Sequence, residues 1–180
     1  MNPNPALFGL RPMGPADLDA VLAIAAASPE APRWKASDYA PYFASATPDP
    51  PLLRIAMAAV SMGAPAEKVV GFAAASLLLD GQQNLCQLDS MAVRPDLRRH
   101  GAGTALLRAI LAWAAQNGAD HLSLEVRAGN TSAIRLYDRL GLRPEGHRPR
   151  YYADPEEDAL ILGMPVTQVC NQADFHEERC

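Results

Sequence analysis

Two lysines, three cysteines and four histidines among 180 residues are scarcities, and each one excludes something. Lys35 and Lys68 are the only lysines, so no Gly-Lys-Ser/Thr phosphate loop can form. Cys86, Cys170 and Cys180 include no Cys-x-x-Cys pair and are too scattered for a disulfide framework. His100, His121, His147 and His176 lack ligand spacing, so no metal is expected. No apolar run reaches the ~18 residues of a membrane-spanning helix, and no membrane partner is expected. The opening MNPNPALFGLRPM has neither the basic lead nor the apolar centre of a secretory signal, which makes a cytoplasmic location the expectation. The length suits one domain, expected over residues 1–166, with a polar tail over 167–180.

Charge is unevenly spread. Residues 1–93 carry a net -3, residues 94–150 a net +5 and residues 151–180 a net -6, for a total of -4. Nucleic-acid binding usually needs a basic domain overall, so no nucleic-acid partner is expected. A basic middle in an acidic chain points to a bound anion or to a solvated basic face.

Hydrophobic periodicity gives the order β-α-α-β-β-β-α-β-α-β-β, an α/β (α+β) mixed sheet with helices on its faces. Strands are expected at Leu7–Arg11, Leu52–Val60, Val69–Leu79, Leu85–Val93, His121–Arg127 and Ala159–Val166, with Gly63-Ala64-Pro65 turning the second into the third. Pro15 opens a helix whose stripe is Leu18, Val21, Leu22 and Ala25. The proline-rich stretch 28–51 leaves room for one short helix near Ser37–Ser45. Gly103, Leu106, Leu107, Ile110, Leu111 and Ala114 form one apolar helix face, stopped by Asn117-Gly118. Asn130 is placed to cap a helix that runs through Leu140 and closes at Gly141. Sequence alone leaves the oligomeric state open.

The chemistry concentrates after Met91-Ala92-Val93. Arg98-Arg99-His100-Gly101-Ala102-Gly103-Thr104 leads into the amphipathic helix, and its glycines let successive backbone N–H groups face one concavity. At a helix N-terminus such a concavity favours an anion, and Arg98 and Arg99 add charge for a phosphate. A Gly-rich loop that merely turns the chain is the plainer alternative. A dinucleotide fingerprint is disfavoured, because seven residues separate Val93 from Gly101 and Leu106 stands where the third glycine belongs.

The spacing Arg98-x-x-Gly101-x-Gly103 instead resembles the coenzyme A pyrophosphate loop of the GNAT acetyltransferase superfamily. The segment Leu124-Glu125-Val126-Arg127-Ala128-Gly129-Asn130 through Tyr137, with Leu140-Gly141-Leu142, Arg150-Tyr151-Tyr152 and Asp158–Met164, is similar to the bacterial ribosomal-protein-alanine N-acetyltransferases, the RimI-type branch. The resemblance implies a GNAT fold, its mixed sheet splayed between two parallel strands, with acetyl-CoA as co-substrate. It implies that Met91, Ala92 and Val93 meet the pantetheine arm by backbone, that Arg98, Arg99, His100, Gly101, Ala102, Gly103 and Thr104 hold the pyrophosphate, and that Asn130 contacts the cofactor. It places the base and acid on Glu125 and Tyr137, and makes a protein or peptide N-terminus the acceptor. The run Cys86-Gln87-Leu88-Asp89-Ser90, the proline-rich loop and the tail depart from the branch's pattern.

Elementary chemistry bears on those roles. Acetyl transfer needs an uncharged amine, and an α-amine of pKa near ~8 must first lose a proton to a carboxylate. Glu125 can be that base or an ordinary solvated carboxylate, and Asp89, which shares strand parity with Met91 and Val93, is the rival. Tyr137 can assist the leaving thiolate only as a short-range donor, because a phenol near ~10 is a weaker acid than a thiol near ~8.5, or it can be a core anchor. The acidic run Asp154–Asp158 can favour a cationic acceptor or be a solvated turn. A small-molecule amine acetyltransferase and a non-catalytic acetyl-CoA-binding regulatory module remain as alternatives.

Overall fold

The computed structural model describes residues 8–44, 47–48, 51–62 and 67–166. The expected tail at 167–180, the Gly63-Ala64-Pro65 turn, Leu7, Cys170, Cys180 and His176 lie outside the described residues. In chain order the elements are β1 (Phe8–Pro12), α1 (Leu18–Ala26), α2 (Ala36–Tyr39), β2 (Thr47–Pro48), β3 (Pro51–Ser61), β4 (Val69–Leu78), β5 (Leu85–Val93), α3 (Ala102–Gln116), β6 (His121–Arg127), α4 (Thr131–Arg139), β7 (Arg143–Ala153) and β8 (Glu156–Pro165). The strands follow the order β1-β3-β4-β5-β6-β8-β7, with β2 paired to β3 off this path. The sheet is mixed: β5 and β6 pair parallel, while β1–β3, β6–β8 and β7–β8 are antiparallel.

The expected order is found with one addition, the two-residue strand β2, and with local differences. The helix expected over 37–45 is one α turn, α2, followed by a 3-10 turn at Ala40–Phe43. Pro41 has no N–H for the carbonyl of Ser37, which accepts from Ala40 in the tighter pattern instead. β8 begins earlier than expected, at Glu156, because β7 pairs with it from Tyr152↔Glu157 and Ala153↔Glu156.

Among the described residues, those of Met1–Ser45, Arg54–Ala74 and Ser90–Ala109 form one unit, and those of Ala46–Leu53, Ala75–Asp89 and Ile110–Cys180 form a second. In the first, Val21 and Ile24 of α1 join Tyr39, Ala56, Ala58, Val60, Phe72, Ala74 and Ala92 in a buried cluster. Leu18, Leu22 and Ala25 pack at its margin, so the buried stripe is rotated from the one expected. A 3-10 turn at Pro15–Asp17 precedes α1. Asp17 is buried at this junction, accepting from Arg11 Nη1 and Nη2 at 2.8 Å each and from the Gly14 amide at 2.9 Å.

In the second unit β6 alternates as its sequence requires. Leu122, Leu124 and Val126 are buried, and Ser123, Glu125 and Arg127 take the other face. The Asn130 side chain caps α4 by accepting from the Ala133 amide at 3.1 Å, and Gly141 ends it at φ 96°. Tyr137 is the buried residue of α4.

Candidate active site

The first unit carries the Gly-rich loop. After β5 a 3-10 turn at Pro95–Leu97 delivers Arg98 in an extended conformation. Its guanidinium is occupied: Nε donates to the Val93 carbonyl at 3.1 Å, Nη2 donates to Ser28 Oγ at 3.0 Å, and Glu30 lies 3.7 Å away. Arg98 therefore clamps the loop to the strand end, and exposed Arg99 is the freer of the two for an external anion. Arg99 adopts φ 69° and Gly101 φ 92°. Left-handed residues in such a turn aim neighbouring amides into a shared concavity that suits an anion. Ala105 is the first amide to close on the Gly101 carbonyl, at 2.9 Å. The amides of Ala102, Gly103 and Thr104 thus fall in a first helical turn, which has no intrahelical acceptors. His100 is exposed, with Nδ1 2.9 Å from the Arg98 carbonyl. A Cβ on Gly101 would meet nothing nearer than Phe8 Cζ at 3.9 Å, so the position requires glycine for its φ rather than for space.

Gly71 is a glycine that the sequence did not mark. A Cβ there would sit 3.0 Å from the Ala92 carbonyl and 3.1 Å from a Val93 methyl. Its bare backbone lets β4 approach the segment Met91–Val93, which is expected to present its backbone to the cofactor.

The second unit carries the carboxylate. Glu125 is 24% exposed at its side chain, and its Oε1 lies 2.8 Å from Arg148 Nε. The Tyr151 hydroxyl donates to the same carboxylate, and that bond, with burial and the Glu125 charge, raises its phenol above the ordinary value. The Tyr152 phenol is raised chiefly by burial and then by Glu125, with Arg127 opposing. Tyr137, 7% exposed, is raised strongly by burial and then by Tyr152. Glu125, Tyr151, Tyr152 and Tyr137 thus form one electrostatic neighbourhood of one carboxylate and three phenols. Arg148 was not singled out by the sequence. In a regular strand it and Tyr151 would point to opposite faces, and the irregularity that reconciles them leaves no local trace.

Much of the acidic run is spent internally. Glu157 pairs with Arg127 at 3.2 Å and accepts from the Gly129 amide at 2.5 Å. Asp158 pairs with His147 Nε2 at 2.8 Å and accepts from the Arg150 amide at 2.7 Å. Less charge is therefore left to attract a cation than the bare sequence suggests.

The parallel ladder of β5 and β6 runs from Leu85↔His121 to Leu88↔Leu124 and stops there, while Glu125, Val126 and Arg127 continue to pair with β8. Asp89 follows directly after the last pair and is half-buried. Its charge, after burial, helps push the Cys86 thiol up to about 12.

The GNAT acetyltransferase family model matches residues 19–142. The chain belongs to the GNAT family. It is 38% identical over 102 residues to the [ribosomal protein bS18]-alanine N-acetyltransferase of Escherichia coli K12, a match covering 56% of this chain and 66% of that protein. The chain thus spans just under two thirds of the length of the curated relatives it first matches. The crystal structure of the S18-alanine N-acetyltransferase from Escherichia coli is 29% identical, with a TM-score of 0.71 over 88% of this chain and 94% of that one. Arabidopsis thaliana NAA60, solved in complex with acetyl-CoA, shares the fold at 19% identity, with a TM-score of 0.77 over 89% of this chain and 99% of that one. In a GNAT sheet the early end of the β5–β6 ladder is the expected splay. Among the described residues no group of three or more His, Cys, Asp or Glu could hold a metal, and no helix is long and apolar enough to cross a membrane.

Proposed function

We propose that this GNAT protein transfers acetyl from acetyl-CoA to a protein N-terminal α-amine, with a ribosomal protein beginning in alanine as the first acceptor to try. The observation that carries the reading is Glu125: a partly buried carboxylate, bonded by Tyr151 and Arg148, one residue beyond the end of a parallel ladder. The Escherichia coli relative named above is an alanine N-acetyltransferase of ribosomal protein bS18, and the loop at Arg99–Thr104 fits the diphosphate of coenzyme A. It offers left-handed backbone, first-turn amides and an exposed arginine. Met91, Ala92 and Val93 would meet the pantetheine arm, and Asn130 would meet the cofactor with what its capping bond leaves. Bound acetyl-CoA supplies an activated thioester.

The chain's residues supply the rest. Glu125 takes the proton of the α-ammonium, whose pKa near ~8 lies about two to three units below that of a lysine and makes the transfer correspondingly less uphill. The amine then attacks the thioester carbonyl directly, the C–S bond breaks, and the proton that the nitrogen sheds on becoming an amide ends on the thiol, with no covalent enzyme intermediate. Tyr137, held protonated by burial, hydrogen-bonds the departing thiolate rather than ionising itself. In this reading residues 1–166 act as one catalytic domain, and a ribosomal acceptor places the reaction in the cytoplasm.

The test is thiol release with peptides at pH 7. Peptides beginning with free Ala or Ser should turn over, and the same peptides blocked at the α-amine but carrying lysine should not. Glu125→Gln should lower turnover by roughly 10²-fold or more while acetyl-CoA still binds. If Asp89→Asn is the crippling change instead, Asp89 is the base. Activity confined to polyamines or aminoglycosides would make this a small-molecule acetyltransferase, and cofactor binding with no acceptor at all would make it a regulatory module.

A further inference from the structure

Two arginines in the second unit sit over two adjacent tyrosines, and their circumstances differ. Arg127 is 12% exposed at its side chain, stacks on Tyr152, and donates to the carbonyls of Asp154 and Pro155 as well as to Glu157. It is locked. Arg148 is 54% exposed and reaches Glu125 through Nε, with its guanidinium carbon 5.6 Å from the centre of the Tyr151 ring.

The irregularity in β7 puts Arg148 there. Arg148 pairs with Ala159, and the next pair is Tyr152↔Glu157. Three residues of β7 therefore face the single Asp158 of β8. Arg150 takes φ 52° within this bulge, and Asp158 braces it through the Arg150 amide and His147. The surplus residues turn the Arg148 and Tyr151 side chains toward the same carboxylate.

We propose that Arg148 is a displaceable occupant of the acceptor's position: its guanidinium holds Glu125 in the free protein, and the incoming ammonium takes its place. This rests on Glu125 being the group that receives the amine. A third charge cannot join the pair cheaply, because the ammonium would lie beside a like-charged guanidinium. Exchange costs little, since an ion pair whose guanidinium is more than half exposed is weak. The Tyr151 ring, already 5.6 Å from the guanidinium carbon, still offers the released guanidinium a contact. Acceptors that arrive cationic can make this exchange, and a neutral, blocked N-terminus cannot. Arg148 is then a specificity-determining residue that competes with the substrate.

Calorimetric titration of the full chain, saturated with coenzyme A, with an Ala-initiated peptide and its α-acetylated twin tests this. Arg148→Gln should tighten the free-amine peptide up to about five-fold, the ceiling for a pair this exposed, and leave the blocked twin unchanged. Arg148→Lys should behave like the unaltered protein. In turnover, Arg148→Gln should lower KM with kcat within about two-fold. Weaker binding of the free amine, equal tightening of both peptides, or an unchanged KM would overturn the inference while leaving the acceptor reading standing. If the unaltered protein neither binds nor acetylates any peptide, the acceptor reading fails and this inference fails with it.

Discussion

The guanidinium carbon of Arg127 lies 4.1 Å from the centre of the Tyr152 ring. That contact, together with the bonds to the Asp154 and Pro155 carbonyls and to Glu157, ties the β7–β8 turn to the end of β6. Arg127→Ala should cost about 2 kcal/mol, because it strips several charge-assisted bonds from a mostly buried group. In a chain of this length that is roughly 4–8 °C of melting temperature. Calorimetry would read it, and an unchanged Tm would mean the turn is held by its strand pairing alone.

Gly101 and Gly118 separate backbone strain from ligand binding. Both are left-handed, at φ 92° and 79°, and neither has a crowding neighbour. Alanine at either should cost about 1–2 kcal/mol from the same strain. If the loop holds the cofactor as proposed, acetyl-CoA should raise Tm and only Gly101→Ala should also abolish that rise, since only that strain reorients the loop amides. Equal ligand shifts in the two variants would move the diphosphate away from this loop.

Asp17 predicts an acid limb. Its two bonds from Arg11 come first, and with the Gly14 amide they hold its carboxyl below the usual range against the opposing effect of burial. A depressed folded value means that the stabilisation is fully present above the ordinary carboxylate pKa and is lost as pH falls through the folded value. Asp17→Asn should cost about 2 kcal/mol at pH 7, and the gap should close as pH drops below about 4. Urea melts at pH 7 and pH 3 check it; a gap that is constant with pH would mean that charge is not the cause.

Cys86 should be chemically silent. Its thiol is buried and pushed up to about 12, by burial first and then by Asp89. With Cys170 and Cys180 replaced by serine, a disulfide reagent at pH 8 should find no thiol in the folded protein and one after denaturation. Rapid native labelling would reopen a covalent route through this residue.

How far the sequence could be read follows from the range of the forces involved. Asn130 capping α4, Gly141 and Gly118 at helix ends, the alternation of β6 and the Arg98–Thr104 loop are decided within a few residues by backbone sterics and periodicity. Those signals determined the order of elements and, through the loop and the Glu125–Tyr137 segment, the family. They do not reach across the sheet. That Arg98 bonds back to Ser28, that Gly71 exists to admit the Ala92 carbonyl, and that Glu157 and Asp158 are consumed by Arg127 and His147 are pairings between segments apart in the chain. Strand parity even misleads at the carboxylate: counted along β7, Arg148 and Tyr151 belong on opposite faces. The register shift before Tyr152 brings both to Glu125, because Asp158 on the neighbouring strand braces the surplus residues. The sequence by itself determined which residues could bind an anion or take a proton. Only the tertiary structure decided which charges are already spent on one another, since that depends on how strands register rather than on what any one strand contains.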